Sequence, residues 1–368
     1  MRKLASIQKI IDLQPIPNAD KIMKATVLGW ELVVKKEEFK VGDLCVYIEI
    51  DSQLPSDNPS FEFMANRKYR VKTIKLRGQI SQGLALPISI LPNGNWQEGD
   101  DVTDTLKITK YDIQAQQEKE LQQVQNKNWF DRNFGQYKWY RQLFMKNRIG
   151  KQKYNFPTFI KKTDETRIQN IPSILEKEKD TPFIVTEKLD GCSATFFLQK
   201  NTNRKWLDKL FNRNEYIFGV CSRNLWLYNK DSSHYWKIAE QFKIKEVLKQ
   251  LIRDKDLIVL QGEILGEGIQ GNKYKIKGLD FYAFNLIFDN DKVDSISASS
   301  ILKEYNIKFV PILKTNFRLL NSVSEMVDYS MGNSQLLSVM REGLVIRNND
   351  KNISFKVINP KFLLKNNE

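Results

Sequence analysis

Composition limits which side chains of this chain can do chemistry. Among 368 residues there is one histidine, His234, and three cysteines, Cys45, Cys192 and Cys221. A single imidazole removes Ser-His-Asp, Cys-His and two-histidine metal arrangements. The cysteines show no C-x-x-C spacing, which indicates neither a zinc site nor a disulfide framework, and they read as buried thiols. A reaction carried by this chain must use lysine, carboxylates and a metal ion held by them.

Lys188 is the foremost candidate nucleophile. It closes the run Phe183-Ile184-Val185-Thr186-Glu187 and is followed by Leu189-Asp190-Gly191. A lysine attacks only as the neutral amine, and a reference pKa of ~10.4 leaves well under ~0.1% in that form at pH 7. A nearby cation, either a divalent metal or the charged ends of Lys356 and Arg167, would lower that pKa together with partial desolvation. Asp190, Glu263 and Glu342 lie in three separate stretches, and a fold that gathers them would supply oxygen ligands for such a metal. The alternative for any one of them is an ordinary surface carboxylate.

Strands and turns must position these groups. From Ala5 to about Leu106 the reading is β. Leu44, Val46, Ile48 and Ile50 alternate with Cys45, Tyr47 and Glu49, a half-buried strand reached through the turn Val41-Gly42-Asp43. Lys24 to Val34 predicts an earlier strand pair, Tyr69 to Leu76 and Gly83 to Pro87 later ones, and this punctuation by Gly and Pro predicts a small barrel. Lys68, Arg70, Lys72, Lys75 and Arg77 would line one strand face, suited to sequence-independent phosphate contact. The plainer reading is a solvated face whose lysines discourage edge pairing.

Asp112 to Gln125, free of glycine and proline, predicts a helix between domains. Lys127 to Lys162 carries ten basic residues, one acidic residue and ten aromatics. Phe130, Phe134, Tyr137, Arg141 and Phe144 fall at helical spacing, which predicts packing for the aromatics and attraction of a nucleic acid for the charges. Past Lys188, Ser193 to Leu198 predicts a strand and Lys200 to Asn214 a basic surface excursion anchored by Trp206, Leu207, Leu210 and Phe211. Glu240 to Arg253 predicts an amphipathic helix, and Leu257 to Leu260 leads into the strand that delivers Glu263. The resulting organisation is a domain over 1–110, a linker over 111–155 and a second domain over 156–368.

Behind Lys188 come, in order, Ser222-Arg223-Asn224, Gln261-Gly262-Glu263-Ile264-Leu265-Gly266, Phe281-Tyr282-Ala283-Phe284, Arg341-Glu342-Gly343-Leu344-Val345-Ile346 and Phe355-Lys356-Val357-Ile358. This series resembles the successive nucleotidyltransferase motifs of ATP-dependent RNA ligases, and Gly262 to Gln270 with Asp280 to Phe284 is most similar to the RNA ligase 2 branch. Val41 to Asp51 and Lys72 to Leu86 resemble the OB domain fused in front of Naegleria-type RNA ligases. Phe159 to Arg167 resembles a Lys-Thr-Asp-Glu-x-Arg segment upstream of the nucleophile in the same enzymes. The likeness implies an α+β chain: an N-terminal OB-type β-barrel plus a C-terminal nucleotidyltransferase (ATP-grasp-like) domain built on antiparallel sheets with flanking helices.

The resemblance also implies roles. Lys188 would take AMP from ATP, with Mg²⁺ or Mn²⁺ held by Asp190, Glu263 and Glu342; Asp190, next to Gly191, would also reach the ribose. Glu187 is expected to read the adenine, Phe284 to stack on it, and Arg223 to contact the sugar and later the RNA end. Lys356 would hold the α-phosphate and Arg167 would lie near the outer phosphates. The other reading of the segment before Arg167 is a helix start capped by Thr163 or Asp164. Phe281 and Tyr282 are expected as core or wall. One departure stands out: many relatives carry K-x-K in the last motif, and here Ile358 takes the place of the second lysine. Lys361 is no substitute on this reading, since five residues along a strand put it on the opposite face.

With 58 Lys and Arg against 44 Asp and Glu, the net charge is +14, which favours a polyanionic partner, here RNA. No apolar run approaches the ~20 residues that span a bilayer. The basic N-terminus soon reaches Gln8, Lys9 and Asp12, so no signal-peptide core forms, and a monomer in the cytoplasm, or the host-cell cytoplasm for a viral chain, is expected. DNA ligases and capping enzymes share K-x-D-G but usually continue into an OB domain after the last motif, whereas twelve residues follow Lys356 here. The remaining rival is an RNA-binding relative with impaired catalysis, favoured only by Ile358.

Overall fold

The computed structural model describes residues 3–111, 155–202, 215–227 and 233–366. The expected helix over 112–125, the aromatics Phe130 to Phe144 and the excursion anchored by Trp206 to Phe211 lie outside these residues.

The N-terminal strands follow the β-branched and aromatic runs. β1 (Ala5–Pro15), β2 (Ile22–Val27), β3 (Trp30–Lys35) and β4 (Leu44–Ile48) are succeeded by the short β5 (Ser52–Gln53), β6 (Arg70–Val71), β7 (Ile74–Leu76), β8 (Gln79–Ser81), β9 (Leu84–Pro87) and β10 (Thr109–Lys110). A five-stranded sheet in the order β3-β2-β1-β4-β9 curls beside a three-stranded one, β10-β5-β6, and the β7-β8 hairpin. Arg77 (φ 47°) and Gly78 (φ 88°) both adopt left-handed backbone at the hairpin tip, the requirement of the tight turns that match strand twist.

Two expectations fail here. β4 is not half-buried: Cys45, Val46, Tyr47 and Ile48 are all buried, and so is Glu49. The second face is covered because the Tyr47 hydroxyl donates to the Gln82 carbonyl at 3.0 Å and its ring stands 6.3 Å from that of Trp30. Tyr69 to Leu76 is not one strand either. Lys68 and Tyr69 have positive φ, β6 pairs with β5, and β7 pairs only with β8, so Lys68, Arg70, Lys72, Lys75 and Arg77 are spread over three segments.

The C-terminal part sandwiches two sheets. One runs β11-β21-β20-β12-β19, made of β11 (Thr166–Arg167), β12 (Phe183–Lys188), β19 (Ile312–Phe317), β20 (Gly343–Asn348) and β21 (Ile353–Ile358). The other runs β14-β13-β15-β16-β17, made of β13 (Cys192–Lys200), β14 (Tyr216–Cys221), β15 (Leu257–Gly266), β16 (Leu279–Phe288) and β17 (Asp291–Lys292). Pairing is antiparallel except where β11 meets β21 and β18 (Lys308–Phe309) meets β16. Helices α1 (His234–Gln241), α2 (Ile244–Ile252) and α3 (Ser295–Lys303) pack on the second sheet; α4 (Val323–Ser330) packs on the first. Their buried apolar faces supply separate cores, one around Phe196, Leu248, Leu260 and Phe281, the other around Phe183, Ile346, Phe355 and Met326. The predicted helix Glu240 to Arg253 is broken in two, because Lys243 takes a left-handed φ of 48° between α1 and α2.

The two parts are joined by specific contacts. Trp30 Nε1 donates to Asn170 Oδ1 at 2.6 Å, Asn170 Nδ2 donates to Glu49 Oε1 at 2.6 Å, and Gly29 N donates to Gln169 O at 2.9 Å. A Cβ on Gly29 would lie 2.9 Å from the Gln169 Cα, so only glycine permits this approach. Ile358 at the end of β21 and Leu363 of α5 (Pro360–Asn366) reach across into the N-terminal core. The α+β architecture, a barrel-like front followed by mostly antiparallel sheets with flanking helices, is the one expected.

Candidate active site

A cavity of about 260 Å³ lies between the two C-terminal sheets and opens onto the N-terminal domain. Lys188, the last residue of β12, pairs with Gly343 at the start of β20 and points into this cavity's wall beside Glu342. Its Nζ stands 2.6 and 2.7 Å from the two Glu342 carboxylate oxygens. Burial pulls the Lys188 pKa down, but Glu342, Glu263 and Asp190 outweigh it and the net direction is up. The protein's own groups therefore hold this amine protonated; of the two cation sources expected to depress it, Lys356 and Arg167 do not, and the divalent metal is the one left.

Asp190, Glu263 and Glu342 all line the cavity. Gly191 makes the approach possible: a Cβ there would fall 2.4 Å from the Ile264 carbonyl oxygen and 2.8 Å from Glu263 Cγ. Burial pushes the Glu263 carboxyl up to about 8, against the pull of Lys188. Burial likewise raises Glu342 while Lys188 opposes it. Asp190 is held by Lys273, an ion pair, and its backbone N–H donates to the Tyr274 hydroxyl at 3.0 Å. Among the described residues no three carboxylate, imidazole or thiol groups form a ready-made metal cage. The fit to a divalent ion lies elsewhere: these are hard oxygen donors on one wall, buried at a cost that a Mg²⁺ or Mn²⁺ ion would offset.

The cationic side is built from three segments. Lys356 on β21 pairs across β20 with Val345 and, in parallel register, with Arg167 of β11. Arg167 is buried, pairs with Asp51 of the N-terminal domain at 2.9 Å, and keeps Nε and Nη1 without a partner. Arg223 pairs with Asp164 at 2.5 Å, and Asp164 also meets Lys110 at 3.0 Å. Burial opposes ionisation of Asp164, but Arg223, Lys110 and Lys356 hold its carboxyl far below the usual range. The expected helix cap at Thr163 or Asp164 is absent: a strand and a 3₁₀ turn follow, and Thr163 instead meets Ser193 Oγ at 3.3 Å.

Glu187 and Phe284 also line the cavity. Glu187 is buried; its Oε2 accepts from Gln335 N at 2.9 Å, while Oε1 has no partner. That orphaned acceptor suits a donor on a bound base. Phe284 is half-buried and lines the cavity, whereas Phe281 is fully buried core and Tyr282 lies under Lys308, as expected for core and wall.

Every residue singled out from the sequence therefore borders one cavity: Arg167, Glu187, Lys188, Asp190, Gly191, Arg223, Glu263, Phe284, Glu342 and Lys356. The sequence reading missed Asp51, Lys110 and Tyr111, which the N-terminal domain contributes to the rim, and Arg347. Nothing local in their sequence signals this, since Asp51, Lys110 and Tyr111 are brought in by domain packing and Arg347 by the packing of the two C-terminal sheets. Arg70 had been read as part of an exposed strand; its guanidinium instead lies 4.0 Å above the Tyr111 ring on the same rim. Lys361 is exposed on α5; β21 ends at Ile358, so the reason it cannot replace the missing lysine is the helix and not strand alternation.

A family profile described as OB-fold domain matches residues 4–88, and one described as RNA ligase matches residues 181–358. Comparison with curated protein sequences gives no match. Among solved structures, Naegleria gruberi RNA ligase with pyrophosphate is 34% identical, with a TM-score of 0.77 and coverage of 99% of this chain and 98% of that one. A variant of the same ligase with ATP and manganese aligns at 34% identity and TM-score 0.77 over 100% of this chain and 98% of that one. A further variant with AMP and manganese gives 34% and 0.77, with 98% of each chain covered. Fold and site define a covalent nucleotidyltransferase carrying an OB-type domain in front. The chain belongs to the RNA ligase family, and its enzyme class is ATP-dependent RNA ligase.

Proposed function

We propose that this chain seals RNA ends by three transfers at phosphorus, with Lys188 as the nucleophile of the first. Lys188 Nζ attacks the α-phosphorus of ATP; an N–P bond forms, the bond to the bridging oxygen breaks, and pyrophosphate leaves. An oxygen of an RNA 5′-phosphate then attacks the same phosphorus, the N–P bond breaks, and the lysine amine is regenerated as AMP passes to the RNA. A 3′-hydroxyl finally attacks the activated 5′-phosphate, a phosphodiester forms, and AMP departs.

The reading rests on one observation above the others: a strand-end lysine on a carboxylate, in a cavity whose other walls carry Lys356, Arg167 and the Phe284 ring. Lys356 would neutralise charge at the α-phosphate, and Arg167, two of whose nitrogens lack a partner, would receive outer phosphate oxygens. Glu187 reads the base, Phe284 stacks on it, and Arg223 meets the sugar and later the RNA end. Asp190, Glu263 and Glu342 would hold Mg²⁺ or Mn²⁺, which supplies charge neutralisation at the reacting phosphate and competes with the lysine's proton. The net +14 charge supports an RNA partner, and free Cys45, Cys192 and Cys221 support a reducing, cytoplasmic setting, in which the chain would act as a monomer. Among the described residues no helix is long and apolar enough to cross a membrane.

The test uses ATP or GTP labelled in the α-phosphate, followed by nicked duplexes that differ only in RNA or DNA at the two ends. Expected are a covalent adduct with ATP, lost in Lys188→Ala while RNA binding persists, and preference for a 3′-OH RNA end. A GTP-only adduct would point to capping, and preference for DNA-only nicks to a DNA ligase. Adduct formation unchanged in Lys188→Ala would remove the catalytic assignment.

A further inference from the structure

The pairing of β15 with β16 contains an irregularity at the cavity. Gln261 faces Asn285 and the next residue, Gly262, faces Ala283, so Phe284 is the extra residue of a β-bulge. A bulge leaves its extra residue outside the ladder. Tyr282 and Phe284 share one face of β16 and Phe281 and Ala283 the other, so alternation points the Phe284 ring at the cavity while the bulge takes Phe284 out of the pairing with β15. A bulged residue's carbonyl must then find a donor elsewhere.

The donor comes from the opposite sheet. Arg347 of β20 donates from Nη1 to the Phe284 carbonyl oxygen at 2.8 Å. Its Nε donates to Ser354 Oγ at 3.2 Å, and its Nη2 pairs with Glu165 at 3.3 Å. The guanidinium carbon lies 5.9 Å from the centre of the Phe284 ring, and Arg347 is 5% exposed. One rigid fork thus ties the bulge of one sheet to the strand of the other, and both Arg347 and Phe284 line the cavity.

We propose that Arg347 is a positioning residue: by holding the Phe284 carbonyl it sets where the ring stands, and hence how tightly the site grips the base of its nucleotide. The proposal rests on the reading of Phe284 as the stacking ring. Arg347 touches neither phosphate-binding group nor nucleophile, so its effect falls on nucleotide affinity and not on the rate of transfer. A lysine at this position keeps the positive charge beside Glu165 but lacks the fork that reaches Phe284 and Ser354 together.

The experiment measures lysyl-AMP formation against ATP concentration for Arg347→Lys, Phe284→Ala and the double variant, with Tm as a check on folding. Phe284→Ala is expected to raise KM for ATP about tenfold, in line with a base-aromatic stack. Arg347→Lys should raise KM about fivefold with kcat within about twofold, and in the Phe284→Ala background should change KM by less than about twofold, the signature of action through the ring. Quenching of a fluorescent adenine analogue by the site should weaken in Arg347→Lys as well. Ser354→Ala loosens the same fork without leaving a buried charge unpaired, so it gives a smaller KM rise, again absent without the ring, and serves if Arg347→Lys folds poorly. Equal KM effects with and without the ring, or none in either Arg347→Lys or Ser354→Ala, overturn the proposal. An unchanged KM in Phe284→Ala alone overturns the stacking reading and the brace with it, whereas an effect of Phe284→Ala without one of Arg347→Lys sinks only the brace.

Discussion

The Lys188 ammonium sits astride the Glu342 carboxylate, 2.6 Å from one oxygen and 2.7 Å from the other. In this arrangement the nucleophile is blocked by its own counterion, and a cation that takes over Glu342 both frees the amine and lowers its pKa.

Glu342→Gln tests which side of that exchange dominates. It removes the anion that keeps Lys188 protonated, but also a carboxylate proposed for the metal. Loss of the metal site is expected to prevail, with lysyl-AMP formation slowed by about 100-fold, or about 3 kcal/mol of barrier. Stopped reactions with labelled ATP read this directly. Adenylation at the wild-type rate would take Glu342 out of the metal set.

Glu263 makes stability depend on pH. Its folded pKa of about 8 lies above the ordinary carboxylate value, so between these pH values the folded state binds more protons than the unfolded. Stability from this group is therefore present at low pH and lost as pH rises toward 8. In metal-free buffer Glu263→Gln should raise Tm at pH 8 and change it little at pH 5. Mn²⁺ should raise the wild-type Tm more at pH 8 than at pH 6, since protons compete for the same oxygens, and more than that of Glu263→Gln. Thermal scans in which Mn²⁺ acts equally on both proteins would count against Glu263 as a ligand.

The Arg167–Asp51 pair couples the two domains. Arg167 is 7% exposed and Asp51 27%, so the pair is screened on one side only. Asp51→Ala leaves a buried guanidinium without its anion and should cost about 2 kcal/mol, below the figure for fully buried pairs. Urea denaturation measures the loss, and KM for ATP should rise with it because Arg167 is no longer oriented. A stability within error of wild type would show that the contact carries no energy.

Ile358 invites the opposite experiment. Restoring the family's second lysine with Ile358→Lys places an amine in a position that is 3% exposed and packed into the N-terminal core. The expected result is a loss of about 2 to 4 kcal/mol with no gain in nick sealing. Faster sealing by this variant would mean that the chain lacks a catalytic group it can still accommodate.

The sequence alone determined the catalytic inventory and the order of the motifs, because each motif is a short strand or turn whose residue types are dictated by local chemistry. Lys188 at a strand end, Asp190-Gly191 just behind it, and the alternation that buries Phe281 are properties of a few neighbours in sequence. The tertiary structure alone decided the rest. Lys188 is held protonated because Glu342, 154 residues away, shares its pocket. β4 is buried on both faces because Gln82 and Trp30 cover it, and Arg70 of β6 joins the rim over the Tyr111 ring. Phe284 drops out of the pairing with β15 at a bulge, and Arg347 of the opposite sheet holds its carbonyl. Burial and charge coupling depend on distance in space, and a linear pattern records only distance along the chain.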